Sequence, residues 1–159
     1  MDSIDIKILQ FLKNNARITA SEISNLINLS VPACSERLKK LESSGVIKQY
    51  TTIIDNRYLK KTLTAMMFVS LERPQFTDRF VDYINTEDDI LECHYLAGDF
   101  DYLMKIITEN TDTLEALLNR IKSVPGVQKT RTIVVLSSVK NNYSVSIGNN
   151  AVDIGGKSK

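Results

Sequence analysis

The chain has 159 residues, of which 43% are hydrophobic and 25% charged, enough apolar content for one packed domain or two small ones. No apolar run reaches the ~18 residues of a membrane span, and the opening MDSIDIKIL has acids where a secretory leader has bases, so a cytoplasmic protein is expected. The formal net charge of +1 is unevenly divided: residues 1–61 carry 10 basic and 6 acidic side chains, residues 62–136 carry 7 and 12, and residues 137–159 carry 3 and 1. A basic first third beside an acidic middle predicts two domains with different partners, polyanion binding falling to the first.

In chain order, Ile4, Ile8, Phe11 and Leu12 are spaced for one face of a helix over about residues 3–15. Thr19 followed by Glu22 is a capping box for a second helix, with Ile23, Leu26 and Ile27 as its apolar stripe. Ser30 suits the N-cap of a third helix, Pro32 its first turn and Gly45 its stop. Two helices joined by a tight turn are a standard way to place side chains in the major groove of DNA.

On the third helix Cys34, Leu38 and Leu41 fall within ~60° of one another and point inward. The other side presents Pro32, Ser35, Glu36, Lys39, Lys40 and Ser43, with Arg37 at the border. Hydroxyls and long basic chains on one face suit base edges and phosphates. Ser30, Pro32, Ser35, Arg37, Lys39 and Lys40 are therefore the DNA-contact candidates, Arg37 and Lys39 for specific contacts. A solvated helix face also carries Lys and Glu; pattern, capping and charge partition together favour DNA. VIKQYTTIID alternates loosely and reads as a strand, in which Lys48 and Gln49 serve either as a wing on the DNA backbone or as an ordinary connection.

From Lys61 the period changes to two. AMMFVSL places Ala65, Met67, Val69 and Leu71 on one face of a strand and Met66 and Phe68 on the other. A helix over 76–86 turns Phe76, Phe80, Val81 and Ile84 inward; strands follow over 90–97 and 102–108. Asp112 and Glu115 cap a helix with Leu114, Leu117, Leu118, Ile121 and Val124, Pro125-Gly126 ends it, and residues 127–136 form the last strand. The order β-α-β-β-α-β predicts an α+β chain: the helix-turn-helix joined to a ferredoxin-like split unit with both helices on one face of the sheet. The expected partition is 1–50 DNA-binding, 51–61 linker strand, 62–140 ferredoxin-like and 141–159 tail.

Met66, Phe68, Met104, Ile106, Val134 and Leu136 are expected on the uncovered sheet face, where a second copy of the sheet is the simplest cover, predicting a homodimer. The turn Gly98-Asp99-Phe100-Asp101 is the middle region's candidate site, since glycine allows close approach and two carboxylates beside free amides suit an amino group and a carboxylate together. A plain β-turn explains the same residues. Cys34 and Cys93 fit no metal spacing and read as buried thiols; His94, the sole histidine, reads as packed or hydrogen-bonded. No metal, cofactor or enzymatic activity is expected.

DIKIL near the start, LSVPACSERLKKLESSGVIKQY, AGDFDYLMKI and VPGVQKTRTIVVL together resemble the leucine-responsive regulator/asparagine-regulator (Lrp/AsnC, feast-or-famine) transcription factors across about residues 2–140. The resemblance implies an N-terminal winged helix-turn-helix and a C-terminal ferredoxin-like domain, in a regulator whose DNA binding or assembly responds to a small amino acid. It also implies dimers paired through their sheets and assembled into octameric rings, with the effector between dimers near Gly98, Asp99, Phe100, Asp101 and Tyr102. Thr130 and Thr132 are candidates for further pocket walls. An effector-independent architectural DNA binder is the alternative, and sirohaem decarboxylases share the two-part architecture. The tail is read as inert or as a further DNA contact.

Overall fold

Three short helices build the N-terminal unit in the computed structural model, which describes residues 1–148. They are α1 (Ser3–Asn14), α2 (Ala20–Ile27) and α3 (Val31–Ser43). α1 starts on a capping box in which Asp2 accepts from the amides of Ile4 and Asp5 while Asp5 accepts from the amide of Asp2. α2 has the Thr19–Glu22 box and ends at Asn28 in the left-handed region. Ile8, Ile23, Cys34 and Leu41 form the core, flanked by Ile4, Phe11, Leu12, Ile27 and Leu38.

Leu26, expected in this core, is 57% exposed. The buried face of α2 follows Ala20, Ile23, Ser24 and Ile27 at i, i+3, i+4 and i+7, which leaves Leu26 at its edge. Ser24 takes the seat because its hydroxyl donates to the Ser21 carbonyl at 2.7 Å.

Residues 46–55 form no strand. A strand exists through its ladder, and no described residue pairs with this segment, so the chain runs unladdered and then winds into a 3-10 turn at Asn56–Leu59 capped by Asp55. The linker-strand reading is thus corrected. The chain divides into units at Ile53 and Ile54, inside that segment, and the described start of the tail belongs to the first unit. There the Lys13 ammonium donates to the Val145 carbonyl at 3.0 Å; the remaining tail residues lie outside the described part.

The second unit runs β1 (Leu63–Leu71), α4 (Thr77–Ile84), β2 (Ile90–Tyr95), β3 (Tyr102–Thr108), α5 (Thr111–Lys122) and β4 (Val127–Val135). The antiparallel sheet has the order β2-β3-β1-β4, so the two halves of the β-α-β-β-α-β repeat interleave. Ala65, Met67, Val69, Phe80, Met104, Ile106, Leu117 and Ile121 are fully buried between sheet and helices. α5 is capped two residues earlier than expected, by Asn110 reciprocating with Thr113, because Asn closes an Asx cap ahead of Asp112. Val81, expected inward, is 37% exposed.

Register corrects the two-face assignment. Met67 lies opposite Met104, and Ala65 opposite Ile106 on one side and Val134 on the other. Directly opposed residues share a face, so Met104, Ile106 and Val134 belong to the helix side. Leu136 lies beyond β4 and is 97% exposed. The uncovered face instead carries Met66 and Phe68 with Leu103, Ile133 and Val135, their opposed partners or alternating neighbours.

Candidate nucleic-acid interface and ligand turn

α3 is held at both ends by local chemistry. The Ser30 hydroxyl accepts from the Ala33 amide at 3.3 Å and Pro32 occupies the first turn. Gly45, at φ +74°, sends its amide back to the Glu42 carbonyl, and Ile47 donates to Leu41 at 3.0 Å. Burying Cys34 and Leu41 turns the opposite side outward: Ser30, Pro32, Lys39 and Lys40 are exposed and Ser35 is half-buried. Neither lysine enters an ion pair among the described residues, so both ammonium groups face solvent unneutralised. Lys48 is exposed just past Gly45.

Arg37 behaves differently. Its Nη1 donates to Asp2 Oδ2 and Asp5 Oδ1, both at 2.7 Å, so this candidate for specific base contact is already engaged within the unit. The Asp2 carboxyl is held below its usual range, first by the Asp5 amide and, against partial burial, by the Arg37 guanidinium. Tyr50 closes the far end of α3: its hydroxyl donates to Glu42 at 2.9 Å, and desolvation, then the Glu42 carboxylate, pushes it up to about 12. Sequence reading missed Asp2, Asp5 and Tyr50. The Asp-x-x-Asp spacing was a legible cap signal, whereas Tyr50 carried none.

The turn after β2 is stitched to the end of β1. The Leu96 amide donates to the Asp101 carbonyl at 2.7 Å, the Asp101 amide to the Val69 carbonyl at 2.9 Å, and the Leu71 amide to Asp101 Oδ2 at 2.7 Å. Ser70 donates its hydroxyl to the Asp99 carbonyl at 3.3 Å. Asp101 therefore uses its carboxylate to fix the turn, while Asp99 is exposed. Phe100 rests on Phe68, ring centroids 5.4 Å apart, beneath the Lys129 ammonium at 5.0 Å. Tyr102 is in the core at 4% exposure, packed on Phe80. At Gly98 an added Cβ would meet nothing within 4 Å, so the chain's own packing does not demand glycine there.

Of the other candidates, Thr130 and Thr132 lie on the helix-covered face opposite Val69 and Met67, half-buried. His94 is exposed on the uncovered face with Nε2 3.3 Å from Glu92, which also accepts from Lys105 at 2.9 Å. Cys34 is buried but Cys93 is exposed, on the sheet's edge strand, where only one side has a neighbour. Among the described residues no three His, Cys, Asp or Glu side chains converge as metal ligands, and no helix is long and apolar enough to cross a membrane.

Comparison with known proteins adds two family matches: a winged helix-turn-helix DNA-binding model over residues 1–48 and the Lrp/AsnC ligand binding domain over residues 64–145. The chain is 35% identical over 150 residues to the leucine-responsive regulatory protein of Escherichia coli K12, covering 92% of each. With that of Haemophilus influenzae it shares 36% over 143 residues, 88% of this chain and 86% of the relative. The fold is similar to the L-methionine complex of a transcriptional regulator from Neisseria meningitidis, with a TM-score of 0.87, 30% identity and coverage of 92% and 96%. It is also similar to LrpC of B. subtilis, at 0.80, 32%, 88% and 97%.

Proposed function

This chain belongs to the Lrp/AsnC family and is a DNA-binding transcription regulator with an amino-acid-binding domain, and from that premise we propose which surfaces do each part. The exposed side of α3 enters the major groove, with Ser35 and Lys39 at base edges and Ser30, Pro32, Lys40 and Lys48 along the backbone. The observation that carries this reading is that burying Cys34 and Leu41 leaves Lys39 and Lys40 exposed and unpaired on the opposite side of a doubly capped helix.

The effector is a small amino acid held at the turn. Asp99 supplies a carboxylate for its ammonium group, the open space at Gly98 admits its backbone, and Asp101, Phe100 and Tyr102 hold the turn in shape. The L-methionine bound by the Neisseria meningitidis neighbour supports this ligand class. Two copies pair through the uncovered sheet face around Met66, Phe68, Leu103 and Ile133, burying apolar area that one copy leaves in water. The family resemblance extends the dimer to a ring of eight, working on DNA in the cytoplasm.

A thermal-shift screen of the twenty amino acids, read beside light scattering, tests this. An amino acid present at 100 times its dissociation constant stabilises the folded state by ~2.7 kcal/mol, so at least one should raise Tm by several degrees in a species no smaller than a dimer. A flat screen on a monomeric species would refute both assignments.

A further inference from the structure

Arg37 occupies the border of the α3 reading face, where a long basic side chain ordinarily reaches for DNA, yet its guanidinium is turned toward α1. Nη1 donates at 2.7 Å to Asp2 Oδ2 and at 2.7 Å to Asp5 Oδ1. The other oxygen of each carboxylate is also taken. Asp2 Oδ1 accepts from the Ile4 and Asp5 amides, and Asp5 Oδ2 accepts from the Asp2 amide, all at 2.9 Å. The cap of α1 and the ion pair to α3 are therefore one network in which every carboxylate oxygen has a donor. The Asp5 side chain is only 13% exposed, so water replaces little of what Arg37 supplies.

The Arg37 guanidinium faces two carboxylates. Arg37 thus brings no net positive charge to a phosphate, and an arginine already donating to two carboxylates has little to gain from a third anion. Apolar packing of Ile8 and Ile23 on Cys34 and Leu41 holds α3 down but is non-directional. Hydrogen bonds from one nitrogen to two fixed acceptors add direction.

The geometry points to Arg37 as a positioning residue for DNA reading: with Asp2 and Asp5 it clamps α3 at a fixed rotation against α1, so that Ser35, Lys39 and Lys40 meet the groove in register. The clamp rests on the assignment of that α3 face to DNA. It makes the N-terminal turn of α1 a determinant of sequence selectivity.

The test uses the full chain, a duplex it selects from a random pool, and an unrelated duplex of equal length. Three variants are compared: Arg37→Gln, the pair Asp2→Asn with Asp5→Asn, and all three changes together. Asn remains a good N-cap and keeps an acceptor oxygen, so the Asn pair removes the clamp while preserving the helix start, and it carries the test if Arg37→Gln does not fold. Loss of about 1.4 kcal/mol of positioning corresponds to ~10-fold. Selected-over-unrelated affinity should accordingly fall about tenfold in each variant, the triple change should be no worse than Arg37→Gln, and the wild-type salt slope should persist. A direct phosphate contact by Arg37 would instead lower the slope by about one for Arg37→Gln, and the Asn pair would tighten binding by freeing the guanidinium. Either of those results, or undiminished selectivity in folded variants, overturns the clamp. A wild-type chain that selects no duplex at all would overturn the DNA assignment beneath it.

Discussion

Gly126 offers the sharpest test of how the second unit is built. It joins α5 to β4 at φ +91°, and a Cβ added there would lie 2.1 Å from Cγ, 2.4 Å from Cβ and 2.5 Å from Cδ2 of Phe76. These atoms sit at the root of the ring, so no rotation of its far end clears them; side chain or backbone must shift. The same glycine's carbonyl accepts from the Glu72 amide at 2.7 Å, so a shift pulls at the junction of β1 and β4. For Gly126→Ala, the left-handed backbone costs ~1–2 kcal/mol and the overpacking ~1–3 kcal/mol. A less flexible unfolded chain offsets ~0.4–1 kcal/mol of this. The expected net loss is about 3 kcal/mol, or roughly 12 °C or more in Tm for a unit of this size. Urea unfolding followed by circular dichroism measures the loss, and hydrogen exchange at the Glu72 amide locates it. A loss under ~1 kcal/mol, with Glu72 still protected, would refute the steric reasoning.

Other predictions concern DNA, acid and assembly. Lys40→Ala should weaken binding to every duplex and lower the slope of log affinity against log salt by about one; an unchanged slope rules out a phosphate contact. Glu87 accepts from Arg120 at 2.9 and 2.8 Å and from the Tyr83 hydroxyl, and Arg120 first, against burial, holds its carboxyl below the usual glutamate range. Its folded value being lower than its unfolded one, its contribution is complete above about pH 4.5 and is lost as pH falls through the folded value. Arg120 is half exposed, so Glu87→Gln should cost under ~1 kcal/mol at pH 7, with the gap to wild type narrowing as pH falls into the acid range; a constant gap contradicts the pairing. Phe68→Asp on the uncovered sheet face should shift light scattering toward monomer while leaving the core intact, and an unchanged mass would show that the sheets do not pair.

Much of this molecule was legible as local chemistry. Thr19 with Glu22, Ser30, Pro32 and Gly45 state where helices begin and end, and the odd-numbered residues of β1 announce their buried face, because caps and periodicity act over a few residues. The errors arose where the answer depends on a distant partner. Met104, Ile106 and Val134 changed faces because parity across a sheet is fixed by register with β1. The segment after Gly45 alternates like a strand but has no partner among the described residues. Equally hidden was that one oxygen of Asp101 fixes the turn by accepting from the Leu71 amide, thirty positions away. The partners of Arg37 were hidden for the same reason, lying at the start of the chain.

Effector control of this regulator requires coupling between the turn at Asp99 and DNA binding. Fluorescence anisotropy of the selected duplex with the full chain, titrated with and without the amino acid that most raises Tm, tests it most directly. Allosteric couplings of 1–3 kcal/mol correspond to ~5–150-fold in affinity, so the wild type should shift by at least about fivefold, and Asp99→Asn should bind the same duplex without responding. An amino acid that stabilises the protein yet leaves duplex affinity unchanged, or an Asp99→Asn chain that still responds fully, would contradict it.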